Sequence, residues 1–201
     1  MHVRRRVTAG QTQMTNEPVF RRYDPRDAAA VVALDEWALG ATETDPEDVP
    51  GREDVQDVEA AYLERGGDFV VGVLEEGSLS AVENSAQVDT LETFDGFVVA
   101  MGGFLPNENG HEDERTVPGA AELHRMRVAP PVQGRGYGEK LLDVLETRVG
   151  AAGYDLLLAT TARRQRKAAR FYPEHGYEHV DESQMGPYEL LHFEKAIESS
   201  E

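Results

Sequence analysis

VAPPVQGRGYGEKLLDVLE, Val128 to Glu146, sets three glycines at alternate positions just ahead of a helical apolar pattern. The glycines are Gly134, Gly136 and Gly138, and the pattern continues through Leu141, Leu142, Leu145 and Val149. The preceding residues Ala120–Val128 alternate loosely and predict a strand that leads straight into this segment. Glycine allows positive φ and lets a ligand approach the backbone without meeting a Cβ. The first amides of a helix have no internal partner, so a glycine loop there offers several donors to an anion. The helix N-terminus adds roughly 0.3–1 kcal/mol in favour of negative charge. The segment reads as a phosphate cradle. It is not the nucleotide P-loop, because Lys140 is followed by Leu141 where a Ser or Thr would hold magnesium. Nor is it the dinucleotide fingerprint, whose spacing is G-x-G-x-x-G within an early βαβ unit.

Working outward, the downstream order is a helix to about Gly153, a strand over Tyr154–Thr160, then RKAARFYPEHGYEHV, Arg166 to Val180, with a further helix and then a strand before the last one. Pro187–Ile197 supplies the last strand. Upstream, Pro18–Tyr23 reads as a short strand, and Asp24 with Pro25 as the cap and first position of a helix. The apolar face of that helix is Ala28, Val31, Val32, Leu34 and Ala38. A second helix carries Val55, Val58 and Tyr62 and stops at Gly66–Gly67. Asp68–Glu76 and Phe94–Leu105 are strands, with a long polar connection between them. Ala41–Gly51 and Asn107–Gly119 are acidic loops.

Gln133-Gly134-Arg135-Gly136-Tyr137-Gly138 matches the Q/R-x-x-G-x-G/A signature of the GNAT superfamily of acyl-CoA N-acyltransferases. Ala168, Phe171, Tyr172, Gly176 and Tyr177 fall on its A-x-x-F/L-Y-x-x-x-G-F/Y element, and the chain resembles that family most strongly from Glu122 to Val180. The resemblance implies an α/β (α+β) fold: a mixed, mostly antiparallel central sheet of about seven strands with helices on both faces. The strands flanking the glycine-led helix should be parallel neighbours that separate at one end to leave a cleft.

The resemblance also implies the site. Acetyl-CoA, the acyl donor, would lay its pyrophosphate on the amides of Gln133 to Gly138 and its pantetheine arm along Met126, Arg127 and Val128. Gln165 stands where many relatives carry an asparagine. An amine would attack the acyl carbonyl directly, with no metal and no covalent enzyme intermediate. An alkyl amine of pKa near 10.4 is about three units from neutral at pH 7, a deficit of about 4–5 kcal/mol, so a base is needed. Glu122 matches the glutamate of the histone-acetylating branch, and His124 shares its strand face. Glu43 and Asp45 could line the substrate entrance. Tyr172 occupies the general-acid position that protonates the departing thiolate, although Pro173 beside it would remove a helical amide. Arg163, Arg164 and Arg166 are candidates for the adenine end. The acceptor class stays open among a small amine, an aminoglycoside, a lysine side chain and a protein N-terminus. The alternative reading is an inactive acyl-CoA sensor or scaffold.

Composition bounds these readings. The 201 residues suit one domain, residues 17–201, behind a disordered leader at 1–16 with Met14 as an alternative start. Without cysteine there is no disulfide framework, thiolate zinc site or cysteine nucleophile. No apolar run reaches the roughly 18 residues of a membrane span, and the basic N-terminus (Arg4, Arg5, Arg6) lacks the apolar core of a secretory signal, so a cytoplasmic protein is expected, with a homodimer compatible. The net charge of −18, from 38 acidic against 20 basic residues, argues against nucleic acid as partner. Its spread along the chain, with only Lys140, Lys167 and Lys195 as lysines, points to life in concentrated salt rather than to a polycation site. Self-repulsion is then screened over about 3 Å at 1 M. The expected result is a thermal midpoint that rises on going to molar potassium chloride; an unmoved midpoint would remove the high-salt reading.

Overall fold

Alternating and wholly apolar runs of β-branched residues set the sheet. The computed structural model of the chain describes residues 17–42, 51–75, 87–109 and 114–198. The predicted leader, Glu43 and Asp45 lie outside the described residues. The strands are β1 (Val19–Arg22), β2 (Asp68–Leu74), β3 (Glu92–Thr93), β4 (Gly96–Pro106), β5 (Ala121–Val128), β6 (Leu156–Ala162), β7 (Glu178–Met185) and β8 (Tyr188–Ala196). They form one sheet in the order β1-β2-β4-β5-β6-β8-β7, with β3 hairpinned on β4. Every pairing is antiparallel except β5 with β6. The strand beyond the expected seven is β3, two residues long, at the end of what reads in sequence as a polar connection.

Period-two alternation sends neighbouring residues to opposite faces. On one face Val71, Val99 and Met101 pack with Val31 and Leu34 of α1 (Ala28–Gly40). On the other Val70, Ala100 and Leu123 pack with Leu141, Leu142, Leu145 and Val149 of α2 (Tyr137–Ala151), alongside Tyr172 of α3 (Arg166–Glu174). The predicted apolar positions of α2 are therefore its buried ones. Upstream, Asp24 and Asp27 form a capping box around a 3-10 turn at Pro25–Asp27, from which α1 continues.

The second helix forms differently from the sequence expectation. Residues 52–56 make a 3-10 turn and 59–63 a π turn, whose closing bond runs from the Glu64 amide to the Glu59 carbonyl at 2.9 Å. The break is at Asp57, whose backbone leaves the helical region (φ −142°, ψ 74°) while its carboxylate caps the Ala60 amide at 3.1 Å. A short polar side chain that competes for backbone donors thus starts a new turn instead of continuing the old one. Val55, Val58 and Tyr62 nevertheless reach the core as expected. Among the described residues no helix is long and apolar enough to cross a membrane.

Candidate active site

The site is organised by an irregularity in β5. Its register with β4 jumps from Gly103↔His124 to Met101↔Arg127, so β5 carries one more residue than its partner in this stretch. Arg125 sits in the bulge with φ 53°, left-handed in a residue that has a Cβ. Such a conformation costs roughly 1–3 kcal/mol and persists only where its surroundings hold it. Two buried acids do so. Asp54 accepts Arg125 Nε at 2.9 and 3.0 Å and also the Tyr62 hydroxyl at 2.5 Å. Asp35, fully buried on α1, accepts Arg127 Nε at 3.2 Å and Arg52 Nε at 3.2 Å. Burial pushes the Arg127 guanidinium below its ordinary range, against the pull of Asp35. Opposite the bulge, Gly102 leaves room for Met126, whose Sδ would stand 2.9 Å from a Cβ there.

Beyond the bulge the sheet opens. β5 and β6 pair only over Ala121–Leu123 and Leu157–Ala159. From there β6 stays with β8 as far as Ala162, while β5 stays with β4 as far as Val128. The expected parallel neighbours and their separation are both present. Among the described residues, no strand pairs with the β6-facing edge of β5 along Met126, Arg127 and Val128.

The glycine loop follows at that open end. Gly134 (φ 78°) and Gly136 (φ 82°) are left-handed, and a Cβ on either would meet nothing within 4 Å. Conformation requires glycine there, and the space beside it is free. Gly138 is already helical, and its Cβ would make ordinary contacts with Phe171 and Val128. No side chain caps α2 at Gly136, whose carbonyl takes the Lys140 amide at 3.1 Å. The Tyr137, Gly138 and Glu139 amides therefore precede the first α-helical bond. Gln133, Gly134 and Arg135 are exposed, whereas Tyr137 turns into the core. Gln133 ties the loop down by donating to the Val128 carbonyl at 3.0 Å and accepting Lys167 Nζ at 2.8 Å.

Tyr172 is buried, its ring 5.4 Å from Tyr177 and 5.6 Å from Phe171 and Phe193. Burial pushes its phenol up to about 12; Arg127 acts against this and Glu122 with it, so both charges are felt at the hydroxyl. Pro173 does not break α3, which runs on to Glu174 and closes with the Tyr177 amide on the Tyr172 carbonyl at 3.1 Å. Gln165 stands at the head of α3, its side chain accepting the Thr161 hydroxyl at 3.2 Å.

Glu122 is 1% exposed and accepts Asn107 Nδ2 at 2.8 Å and Thr160 Oγ1 at 2.6 Å. His124 is also buried, with Nε2 2.7 Å from Glu114 Oε1. The second acidic loop thus has a structural role: Asn107 and Glu114 roof the two candidate bases. Arg163 is engaged by Glu182 and Glu189, and Arg164 lies 3.8 Å over the Tyr188 ring, so both serve the β7–β8 edge rather than the glycine loop. Lys167 is the cation that does reach the loop, and sequence reading passed over it. Asp35, Asp54 and Arg125 were missed as well. Only Asp35 leaves a signal, an acid between Leu34 and Ala38 on an otherwise apolar helix face.

The profile described as the acetyltransferase (GNAT) family matches residues 53–177. No curated protein matches the chain. Many solved structures share its fold. A GNAT superfamily phosphinothricin acetyltransferase from Sinorhizobium meliloti, in complex with acetyl-CoA, is 15% identical with a TM-score of 0.65, over 90% of this chain and 89% of that one. A ribosomal-protein-alanine N-acetyltransferase from Brucella melitensis is 17% identical with a TM-score of 0.63, over 89% and 99%. An acetyltransferase of the GNAT family from Staphylococcus aureus Mu50 is 16% identical with a TM-score of 0.61, over 87% and 96%.

Proposed function

The chain belongs to the acetyltransferase (GNAT) family, and from that premise we propose that it transfers the acetyl group of acetyl-CoA directly to a primary amine. The observation that carries the reading is a coincidence of place. The unpaired edge of β5 and the uncapped, doubly left-handed start of α2 meet at the same open end of the sheet. An edge that no other strand covers suits an amide-bearing arm, and a helix N-terminus suits a phosphate.

Bound acetyl-CoA supplies the activated acyl carbon and a thiolate leaving group; the chain supplies position and proton control. Amides from Gln133 to Gly138 would hold the pyrophosphate, with Lys167 adding positive charge. Met126, Arg127 and Val128 would align the arm, and a strand amide beside the bulge would polarise the carbonyl. Gln165 would support the cofactor side from the head of α3. Glu122 would take the proton of the amine, through water because the carboxylate is 1% exposed. Tyr172, its phenol at about 12, stays protonated at neutral pH and would donate to the departing thiolate.

Calorimetric titration of acetyl-CoA in molar potassium chloride tests the cradle. Gly136→Asp places a Cβ at φ 82° and a carboxylate among the phosphate donors, so binding should weaken about tenfold or more. Unchanged affinity in that variant would move the phosphate elsewhere. CoA release should then be followed with spermidine, kanamycin, a lysine-containing peptide and a peptide with a free alanine N-terminus. Binding without release across such a panel would favour the sensor alternative.

A further inference from the structure

Four neighbouring strands each contribute one polar side chain to a single line of hydrogen bonds. Thr160 on β6 donates its hydroxyl to Glu122 of β5 at 2.6 Å. The same Thr160 oxygen lies 3.0 Å from His192 Nδ1 on β8, and His192 Nε2 lies 2.8 Å from Ser183 Oγ on β7. Thr160 and His192 are register partners, so the contact follows from sheet pairing. The line runs from inside to outside. Glu122 is 1% and His192 3% exposed, whereas Ser183 is exposed and lines a cavity of about 240 Å³. Glu114, Arg115 and Asp181 share the wall of that cavity.

The hydrogens on this line can be counted. A hydroxyl has one, and Thr160 gives it to the carboxylate. The imidazole must then be the donor to Thr160, which fixes the neutral ring as the Nδ1–H tautomer with its Nε2 lone pair toward Ser183. Protonation at Nε2 leaves that arrangement standing and only turns Ser183 from donor to acceptor.

We propose that His192 is a positioning residue for Glu122, acting through Thr160, and that it transmits the pH of the outer cavity to the buried carboxylate. The proposal rests on the reading of Glu122 as the base. With His192 neutral, the line orients Glu122 and leaves it basic. With His192 protonated, a cation one hydroxyl away holds the carboxylate ionised and makes it a poorer base. The charged groups around the imidazole are fixed by other contacts. Asp181, its register neighbour on β7, accepts the Glu182 amide at 2.9 Å, and Glu194 on its own strand is paired with Arg115 at 3.2 Å. Glu114 is paired with His124, and Asn107 donates to the other oxygen of Glu122.

Nitrogen-15 spectra of the imidazoles test this without any acceptor. His192 is assigned by its disappearance in His192→Gln. It should show the Nδ1–H tautomer, and its titration midpoint should fall by about one unit or more in Glu122→Gln, because coupling of two protonation sites is reciprocal. Thr160→Val should release the ring to Nε2–H, while Thr160→Ser should keep Nδ1–H. The rate readout uses whichever of the four panel amines supports CoA release. His192→Asn, whose amide nitrogen stands where Nδ1 does and so can donate to Thr160 but cannot charge, should move the acid limb to lower pH. An Nε2–H ring in the unmodified protein, an unmoved midpoint in Glu122→Gln or an unmoved acid limb would each overturn the proposal. If none of the four amines is acetylated, the transferase reading fails while the tautomer and midpoint still decide whether His192 is coupled to Glu122.

Discussion

Replacing Tyr172 with phenylalanine is expected to lower kcat by about 10²–10⁴-fold, the usual yield of a positioned proton donor, with acetyl-CoA affinity unchanged. The ring contacts to Phe171, Tyr177 and Phe193 survive the substitution, so the fold has no reason to fail. On the proposed role, what is lost is one proton near the leaving sulfur. Single-turnover CoA release, with binding measured separately by calorimetry, separates the two effects. A kcat within about twofold of the original would return Tyr172 to core packing. The shape of the pH profile is a second check. Because burial lifts the phenol to about 12, Tyr172 remains a donor through the alkaline range in which an ordinary phenol near 10 would fail. The Phe variant should therefore lower the profile without adding an alkaline limb below about pH 11. The same shift bears on stability. Between about pH 10 and 12 the unfolded chain binds fewer protons than the folded one at this site, so stability falls as pH rises through that window and is untouched below it.

The residues that set local backbone geometry were legible in sequence, and those that act across the sheet were not. Gly134 and Gly136 announce left-handed turns before a periodic helix, and the structure has both. The order of strands and helices follows from apolar periodicity, as does the parallel pairing of β5 with β6 around α2. The bulge at Arg125 has no local signature, because it is a mismatch between two strands about twenty residues apart. Its partners Asp54 and Asp35 lie 71 and 92 positions from the arginines they hold, and each looks like one more acid in an acidic chain. The acidity of the whole chain hid its few buried carboxylates. Thr160, His192 and Ser183 were invisible for a related reason, since their alignment needs the order β5-β6-β8-β7, in which β8 sits between β6 and β7.

The largest loss of stability is expected from Asp54→Ala. That change leaves the buried Arg125 guanidinium without its carboxylate and the buried Tyr62 hydroxyl without its 2.5 Å acceptor. Removing one partner of a buried ion pair costs about 3–5 kcal/mol, which for a chain of this size lowers the thermal midpoint by roughly 6–20 °C. If the uncompensated charge is the cause, removing it as well should help. Asp54→Ala with Arg125→Gly should be more stable than Asp54→Ala alone, because the Arg125 charge that lost its carboxylate is gone too and glycine takes the φ of 53° without the roughly 1–2 kcal/mol penalty of a Cβ. Two independent losses would instead add, so a double variant less stable than Asp54→Ala would sink the explanation. Activity should not follow stability. With both side chains gone, the bulge loses its direct tie to the 52–56 turn and keeps the Asp35 bridge between Arg127 and Arg52, so the amide beside it is aimed less firmly than the proposed carbonyl polarisation demands. A double variant that melts higher than Asp54→Ala yet has kcat reduced as far would show that the clamp exists to aim the strand. Recovery of kcat along with stability would show that it only holds the fold together.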